Sequence, residues 1–336
     1  MRRNAIATVT ALVATVALVG PAAYAAENIT AGGSSFAANI IQTCAASYTA
    51  DKITYASVGS GTGRNNFLNG TYDFGASDVA YAATDKQPDS FTYVPLIGGP
   101  IAVVFKVDGV TSLNLSAKVL GGIFNGRYTK WNDAEIAALN PKAALPNKDI
   151  NVVYRSGSSG TTQNFARFLM GNGASGYKDN GTWATASAQS TPTGVSAANA
   201  QAVVTTVSTT ANSIGYADLS DADSKGLSFA ALRNPLGEFV KPSVAAASKF
   251  LAVQPVKANG ILDIDYKKSV KGGYNASLVT YALAPTAQGG AKGTAIRKFL
   301  TYVINSCAPA KGPAMNYAPL AAALKAKALK LVATVK

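Results

Sequence analysis

The sequence has no histidine, and this absence narrows the chemistry that the protein can perform. A Ser-His-acid triad, an imidazole general base and most zinc sites all need histidine side chains. A metal-ligand cluster built from cysteines is also excluded, since the chain has only two of them. The composition therefore argues against an enzyme, and it predicts neither a metal nor another cofactor.

Charged residues are also scarce, at 14% of the chain, and acidic ones are the rarer kind. The 30 lysines and arginines exceed the 17 aspartates and glutamates, which leaves a formal net charge of +13. A basic surplus is one sign of nucleic-acid binding, but these residues are scattered except for several lysines near the C-terminus. A positive field also attracts small anions or anionic cell-envelope polymers. We therefore expect an anionic ligand and no nucleic acid.

The N-terminus has the pattern of an export signal. Arg2 and Arg3 precede an apolar run over residues 5–19, and Ala23-Tyr24-Ala25 then supplies the small residues that a signal peptidase reads. The run is shorter than the roughly 20 residues of a transmembrane helix, so residues 1–25 are predicted to be a secretory signal peptide. No second long apolar run follows. We expect an exported protein of the periplasm or, alternatively, one secreted or associated with the cell envelope.

The two cysteines, Cys44 and Cys307, lie far apart in the sequence. Cys44 is well beyond the predicted cleavage site, so no cysteine is available there for lipid attachment and we expect no lipid anchor. In an oxidising compartment the two residues are predicted either to form one disulfide or to remain as two buried thiols. A disulfide would require the N-terminal and C-terminal segments to be neighbours in the fold.

Strand-like and helix-like segments alternate along the chain. Runs of β-branched and aromatic residues such as Ile53–Val58 and Ile150–Tyr154 indicate strands, and apolar residues recur at helical spacing over residues 36–48. This alternation predicts an α/β fold with parallel sheets and helices on both faces, in which ligands bind beyond the carboxyl ends of the strands. Gly/Ser loops occur at that position several times.

Three of these loops have a similar composition. Glycine lets the backbone approach a ligand, and the hydroxyl groups supply hydrogen bonds. Each loop is predicted to open a helix, whose free N–H groups and positive dipole end favour an anion. One such loop is more simply a helix cap, whereas three in one chain predict an anion site. The loops are Gly33-Ser34-Ser35-Phe36, Gly59-Ser60-Gly61-Thr62 and Ser158-Ser159-Gly160-Thr161.

Two charged residues accompany these loops. Arg155 precedes the third loop, and its planar guanidinium fits two oxygens of a tetrahedral anion. Asp78 ends a predicted strand, and a carboxylate beside an anion is favourable only if the anion carries a proton. Phosphate carries one near neutral pH, whereas sulfate would leave a buried charge unpaired, at a cost on the order of 3–5 kcal/mol. The pattern therefore predicts a phosphate site.

The motifs and their order resemble the phosphate-binding protein of the high-affinity phosphate ABC transporter, the PstS family. The resemblance extends from about residue 29 to residue 216 and is looser beyond that point. Each piece alone is common, but the combination is specific. The matching stretches are Ala31-Gly-Gly-Ser-Ser-Phe36, Val58-Gly-Ser-Gly-Thr-Gly63, Asp73-Phe-Gly-Ala-Ser-Asp78, Ile97-Gly-Gly-Pro100, Leu120 to Asp133, Arg155 to Thr161 and Ile214-Gly-Tyr216.

The resemblance implies a type II periplasmic-binding-protein fold with two lobes, each a mostly parallel sheet flanked by helices. Two hinge strands would cross near residues 95–97 and 274–278. Residues 26–96 with 276–336 would form lobe I, residues 97–275 would form lobe II, and phosphate would bind in the cleft between them. The C-terminal segment would return to lobe I and bring Cys307 near Cys44, which supports the disulfide. A monomer that delivers phosphate to a membrane permease and ATPase is expected.

Carried over by motif, the resemblance gives eight residues a role in phosphate binding. Ser35 and Ser60 would donate their hydroxyls, Phe36 its backbone N–H, and Asp78 would accept the phosphate proton. Arg155 would supply the charge-assisted pair, and Ser159, Gly160 and Thr161 would donate from a helix N-terminus. The family usually has an acid two residues after the arginine, and this chain has Gly157 instead. What holds Arg155 in place is therefore open.

Three other functions fit parts of the pattern. A binding protein for arsenate, sulfate or molybdate would share the loops; Asp78 argues against the fully deprotonated anions, but arsenate is protonated like phosphate. A secreted phosphatase with Asp78 or Ser60 as nucleophile would lack the histidine, metal cluster or paired acids that such chemistry needs. An envelope adhesin would use the basic surface and bind cell-wall polymers rather than free phosphate.

Overall fold

The computed structural model describes residues 26–287 and 289–336, so the predicted signal peptide lies outside the described residues. Over this range no helix is long and apolar enough to cross a membrane. The strands, in chain order, are β1 (Asn28–Gly33), β2 (Lys52–Ser57), β3 (Phe74–Ser77), β4 (Phe91–Lys106), β5 (Leu113–Leu115), β6 (Asn151–Arg155), β7 (Val195–Ala197), β8 (Ser213–Asp218), β9 (Ser228–Arg233), β10 (Phe239–Val240) and β11 (Ser277–Pro285).

Helices follow most of the strands, and several of them open on a Ser, Asn or Asp cap. They are α1 (Ala38–Ser47), α2 (Ser60–Leu68), α3 (Ala117–Phe124), α4 (Ala134–Leu139), α5 (Gly160–Gly171), α6 (Trp183–Ala186), α7 (Ala200–Thr209), α8 (Leu219–Asp223), α9 (Val244–Ala252), α10 (Gly290–Tyr302), α11 (Ala308–Lys311) and α12 (Ala322–Val332), with a π-helical turn at Val303–Cys307 and a 3-10 turn at Pro313–Met315.

Two groups of strands form the two lobes that the sequence predicts. In the first group β2, β1 and β3 are parallel, and β11 adds to β3 in the antiparallel direction. In the second group β7, β6 and β8 are parallel, and β4 adds to β8 in the antiparallel direction. Each sheet is thus mixed rather than wholly parallel, because the crossing strands run against their neighbours.

Strand β4 connects the two groups. It pairs with β11 from Phe91 to Pro100 and with β8 from Ile101 to Lys106. The sequence pattern predicts two strands around Gly98-Gly99-Pro100, but the structure has one continuous strand, because the two glycines and Pro100 pair with residues 277–279 of β11. The pairing skips Leu96, since Thr280 faces Ile97 and Tyr281 faces Pro95. Such a bulge turns side chains relative to a regular ladder.

The C-terminal segment returns to the first lobe, and a disulfide fixes it there. Cys44 of α1 and Cys307 of the π-helical turn are bonded, although they are 263 positions apart in sequence. This is the pairing that the resemblance implies. Helix α11 also packs on α1, and the hydroxyl of Tyr317 donates to the carbonyl of Phe36 (2.8 Å). The C-terminal segment therefore braces the loop that opens α1.

An aromatic cluster fills the core of the second lobe below α5. Phe165 of α5 stacks on Tyr216 of β8 with 4.4 Å between ring centroids, and both lie against Trp183. The hydroxyl of Tyr216 lies 2.7 Å from the hydroxyl of Thr162 in the first turn of α5. The core therefore fixes both the direction of α5 and the position of its N-terminus.

Candidate anion-binding site

The eight residues predicted to bind phosphate are all buried, and they lie where strands end and helices begin. Asp78 follows β3, and Arg155 is the last residue of β6. Direct contacts connect the two lobes at this point. The N–H of Gly61 in α2 donates to the carbonyl of Ser158 (3.0 Å), and the side-chain amide of Asn164 in α5 donates to the carbonyl of Asp78 (2.9 Å). The structure is therefore in a closed arrangement.

Asp78 has a hydroxyl on each side of its carboxylate. Its Oδ1 accepts from Ser34 Oγ (2.5 Å) and Thr280 Oγ1 (2.6 Å). Its Oδ2 accepts from Ser60 Oγ (3.2 Å) and Thr161 Oγ1 (3.4 Å), and these are the longer bonds. Burial raises the pKa of Asp78, and the hydrogen bonds from Ser34, Thr280 and Ser60 oppose that rise.

Arg155 is 2% exposed, and its guanidinium reaches across to the first loop. Nη1 donates to Ser35 Oγ (3.0 Å), and Nη2 donates to the carbonyl of Ala198 (3.3 Å). Nε is buried without a hydrogen-bond partner in the described structure. Burial lowers the pKa of Arg155, and the nearby Tyr216, Asp78 and Asp218 oppose this shift. An arginine nevertheless keeps its proton in proteins.

The contacts of Arg155 show which groups take the place of the acid that the family usually has at residue 157. Among the described residues no carboxylate lies within ion-pair distance of Arg155. A serine hydroxyl and a backbone carbonyl hold the guanidinium instead. A Cβ atom at Gly157 would meet nothing within 4 Å. The guanidinium charge is therefore not neutralised by a bonded partner and is available for an anion.

The first loop presents Ser35 as a donor. Its Oγ accepts hydrogen bonds from Arg155 and from the N–H of Ala200 (3.2 Å). A hydroxyl has two acceptor lone pairs and one proton, so both lone pairs are used and the proton remains for a ligand. Phe36 packs its ring edge-on against Tyr317, with 6.0 Å between centroids, which leaves only its backbone to contribute to the site.

The third loop forms the N-terminus of α5. Ser159 is the cap, and its Oγ accepts from the N–H of Thr162 (3.1 Å). The first turn of a helix leaves its leading N–H groups without intrahelical partners, and here these belong to Gly160 and Thr161. A Cβ atom on Gly160 would lie 2.5 Å from Ser60 Oγ and 2.7 Å from Asp78 Cβ. Only glycine allows the two lobes to approach this closely.

Several contacts at the site were not predicted from the sequence, although Ser34 lies in the first of the three predicted loops. Ser34 and Thr280 hold Asp78, and Asn164 binds its carbonyl. The N–H of Ala200, at the start of α7, makes a fourth helix N-terminus at the site. The cap Asn199 marks this helix start in the sequence, but nothing local relates it to residues more than a hundred positions away.

The assembled site has one cation, one carboxylate and several helix N-termini. The positive dipole ends of α1, α2, α5 and α7 add to the charge of Arg155, and together they exceed the single charge of Asp78. No group of three Cys, Asp or Glu side chains within residues 26–287 and 289–336 could hold a metal ion. The arrangement suits an anion with several acceptor oxygens and one proton to donate.

Comparisons with known proteins show the family of this chain. The model of the PBP superfamily domain matches residues 19–306. The chain is 34% identical to phosphate-binding protein PstS 2 of Mycobacterium tuberculosis over 274 residues, 76% of this chain and 72% of that protein. It is 35% identical to phosphate-binding protein PstS of Haemophilus influenzae over 236 residues, 66% of this chain and 69% of that protein.

A solved structure has the same fold. The high-affinity periplasmic phosphate-binding protein PfluDING, solved with bound phosphate, superposes with a TM-score of 0.74 at 25% identity, over 89% of this chain and 92% of that one. The predicted two-lobed fold is thereby confirmed. The chain belongs to the PBP superfamily and, within it, to the PstS phosphate-binding proteins.

Proposed function

We propose that this protein binds inorganic phosphate between its two lobes and delivers it to the permease and ATPase of a membrane ABC importer. One observation carries the proposal: the buried Asp78 offers an acceptor oxygen among hydrogen-bond donors, opposite the unneutralised Arg155. The donors suit phosphate oxygens, and the acceptor suits the proton that phosphate carries. Sulfate and molybdate have no proton for it.

The roles of the eight residues follow from their contacts. Ser35 donates its hydroxyl, Phe36, Gly160 and Thr161 donate backbone N–H groups, and Ser159 caps the start of α5. Ser60 donates to Asp78 Oδ2 in this structure, and its hydroxyl turns to a phosphate oxygen when the proton of the ligand takes that position. Asp78 accepts the proton, and Arg155 supplies the charge. We place the ligand between lobe I, residues 26–96 with 276–336, and lobe II, residues 97–275.

The setting is proposed from the sequence and from the relatives. The predicted signal peptide supports export to the periplasm or cell envelope, and the similar solved structure PfluDING is a periplasmic phosphate-binding protein. A receptor that captures and releases phosphate needs no catalytic residues, and we propose a monomeric binding protein rather than an enzyme.

Gly160→Ala tests the position of the site. The added Cβ enters the space between Ser60 and Asp78, and overpacking costs about 1–3 kcal/mol, so we expect phosphate affinity to fall about tenfold to a hundredfold. The atoms that the new Cβ meets belong to the other lobe, so opening of the lobes relieves the clash and the melting temperature should change little. Gly157→Ala is the matched control, because its Cβ meets nothing within 4 Å. Equilibrium dialysis measures the phosphate affinity of both variants. Equal affinities for Gly160→Ala and Gly157→Ala would mean that phosphate does not bind at this position.

A further inference from the structure

Thr280 lies outside the predicted ligand set, yet it contacts the residue on which selectivity depends. It is fully buried in the crossing strand β11, at the bulge where the pairing with β4 skips a residue. Its Oγ1 lies 2.6 Å from Asp78 Oδ1, although the two residues are 202 positions apart in sequence. A carboxylate only accepts hydrogen bonds, so the threonine hydroxyl is the donor.

Ser34 makes the second short bond to the same oxygen, and its direction is also fixed. Ser34 Oγ accepts from the N–H of Ala37 (3.3 Å), so its proton points to Asp78 Oδ1 (2.5 Å). Two donors fill the lone-pair directions of Oδ1. Oδ2 accepts only the longer bonds from Ser60 (3.2 Å) and Thr161 (3.4 Å). It is therefore the oxygen at which a proton of the bound anion can replace a weakly held donor.

These two hydroxyls also decide which form of the carboxyl is favoured. Hydrogen bonds donated to a carboxylate stabilise its ionised form against the cost of burial, and they lower the pKa of Asp78, which burial raises. The other titratable groups with an electrostatic effect on Asp78 are the cations Arg155 and Arg64 and the buried Tyr55, Tyr266 and Tyr281. The tyrosines are neutral near pH 7, and the arginines favour the ionised form.

We propose that Thr280 is a specificity-determining positioning residue, whose hydroxyl keeps Asp78 ionised and turned so that Oδ2 accepts the proton of the bound anion. This inference rests on the proposed function and adds the hydrogen bond that maintains its selectivity. A carboxyl that gained a proton would donate from Oδ2 and would accommodate an oxyanion without a proton. Thr280 therefore excludes sulfate without touching the ligand.

The test compares Thr280→Val and Thr280→Ser with the parent chain. Valine keeps the shape but removes the donor, whereas serine keeps the donor but removes a methyl group. Calorimetry measures phosphate and sulfate affinities from pH 5 to pH 8. A hydrogen bond to a charged group is worth about one to two powers of ten in an equilibrium constant. For Thr280→Val we expect the sulfate-to-phosphate affinity ratio to rise about tenfold or more towards pH 5, with the parent and Thr280→Ser remaining selective.

The outcomes separate this inference from the proposed function. If Thr280→Val remains selective, the hydroxyl does not control selectivity. If Thr280→Ser loses selectivity as much as Thr280→Val does, Thr280 acts by packing. Either result would overturn the inference. The parent chain would still bind phosphate in that case. A parent chain that does not bind phosphate at any pH would overturn the proposed function itself.

Discussion

Replacing Arg155 with methionine is expected to weaken phosphate binding about a hundredfold to a thousandfold while the chain stays folded. Among the residues that the structure describes, the guanidinium is the one cation held in the site, and no carboxylate there forms an ion pair with it. Without it, the ligand would face Asp78 with only neutral donors and helix dipoles to offset the negative charge. Truncating one partner of a buried charge pair costs about 2–5 kcal/mol. Calorimetric titration with phosphate measures the loss.

Two controls make the Arg155 result specific. Arg155→Lys keeps a positive charge but loses the planar fork, so an intermediate loss is expected. Arg167→Met removes an arginine from the outer face of α5, where Arg167 pairs with Asp179 (2.8 Å) and is 39% exposed. That variant should bind phosphate as the parent does. An Arg155→Met variant whose affinity stays within about threefold of the parent would show that the guanidinium does not contact the anion.

Asp78→Asn is expected to remove the preference for phosphate over sulfate, by about a hundredfold or more. Ser34 and Thr280 both donate to the Oδ1 position, so the amide oxygen should occupy that position and the amide NH₂ should face the ligand. A donor there accommodates sulfate and no longer accepts the phosphate proton. The change converts an unpaired charge costing about 3–5 kcal/mol into a hydrogen bond. Competition between phosphate and sulfate in equilibrium dialysis measures it.

The matched control for Asp78 is Asp73→Asn. Asp73 precedes the same strand, but its carboxylate accepts from the N–H of Thr30 and pairs with Lys292 (2.9 Å), away from the anion site. Removing that charge should leave selectivity unchanged. If Asp78→Asn also keeps the parent's preference for phosphate over sulfate, the carboxylate does not recognise the proton of the ligand, and selectivity has another source.

The parts of the site that sequence reasoning found are those with local signatures. Ser159 and Gly160 sit in a loop where a glycine and a capping serine mark a helix start, and Asp78 directly follows a short buried strand. Such motifs depend on a few neighbouring residues, because caps, turns and strand ends are local structures. Their convergence on one cleft follows from parallel strands ending at the same edge.

The contacts that sequence reasoning missed are long-range ones that depend on register. Thr280 reaches Asp78 because β11 pairs with β3 so that Tyr281 lies opposite Ser77, which places the next residues, Thr280 and Asp78, side by side. A slip of one residue would turn the side chain of Thr280 to the other face. Nothing in the sequence around Thr280 records that register. The N–H of Ala200 is likewise brought to Ser35 by the packing of two lobes.

Gly157 gives a second example of contacts that the sequence does not predict. The family pattern has an acid at this position, so the sequence alone left open what holds Arg155. The structure gives the answer in Ser35 Oγ and the carbonyl of Ala198, which no pattern near Arg155 indicates. A backbone carbonyl leaves no trace in side-chain composition. The Gly-Gly-Pro segment of β4 also depends on a distant partner, because its pairing with residues 277–279 of β11 continues the strand.

Calorimetric titration of the unaltered protein with phosphate and then with sulfate at neutral pH tests the central claim most directly. We expect one phosphate per chain and no detectable competition from sulfate at the same concentration, because only phosphate brings a proton to Asp78. Equal affinities for the two anions, or no phosphate binding, would contradict the account.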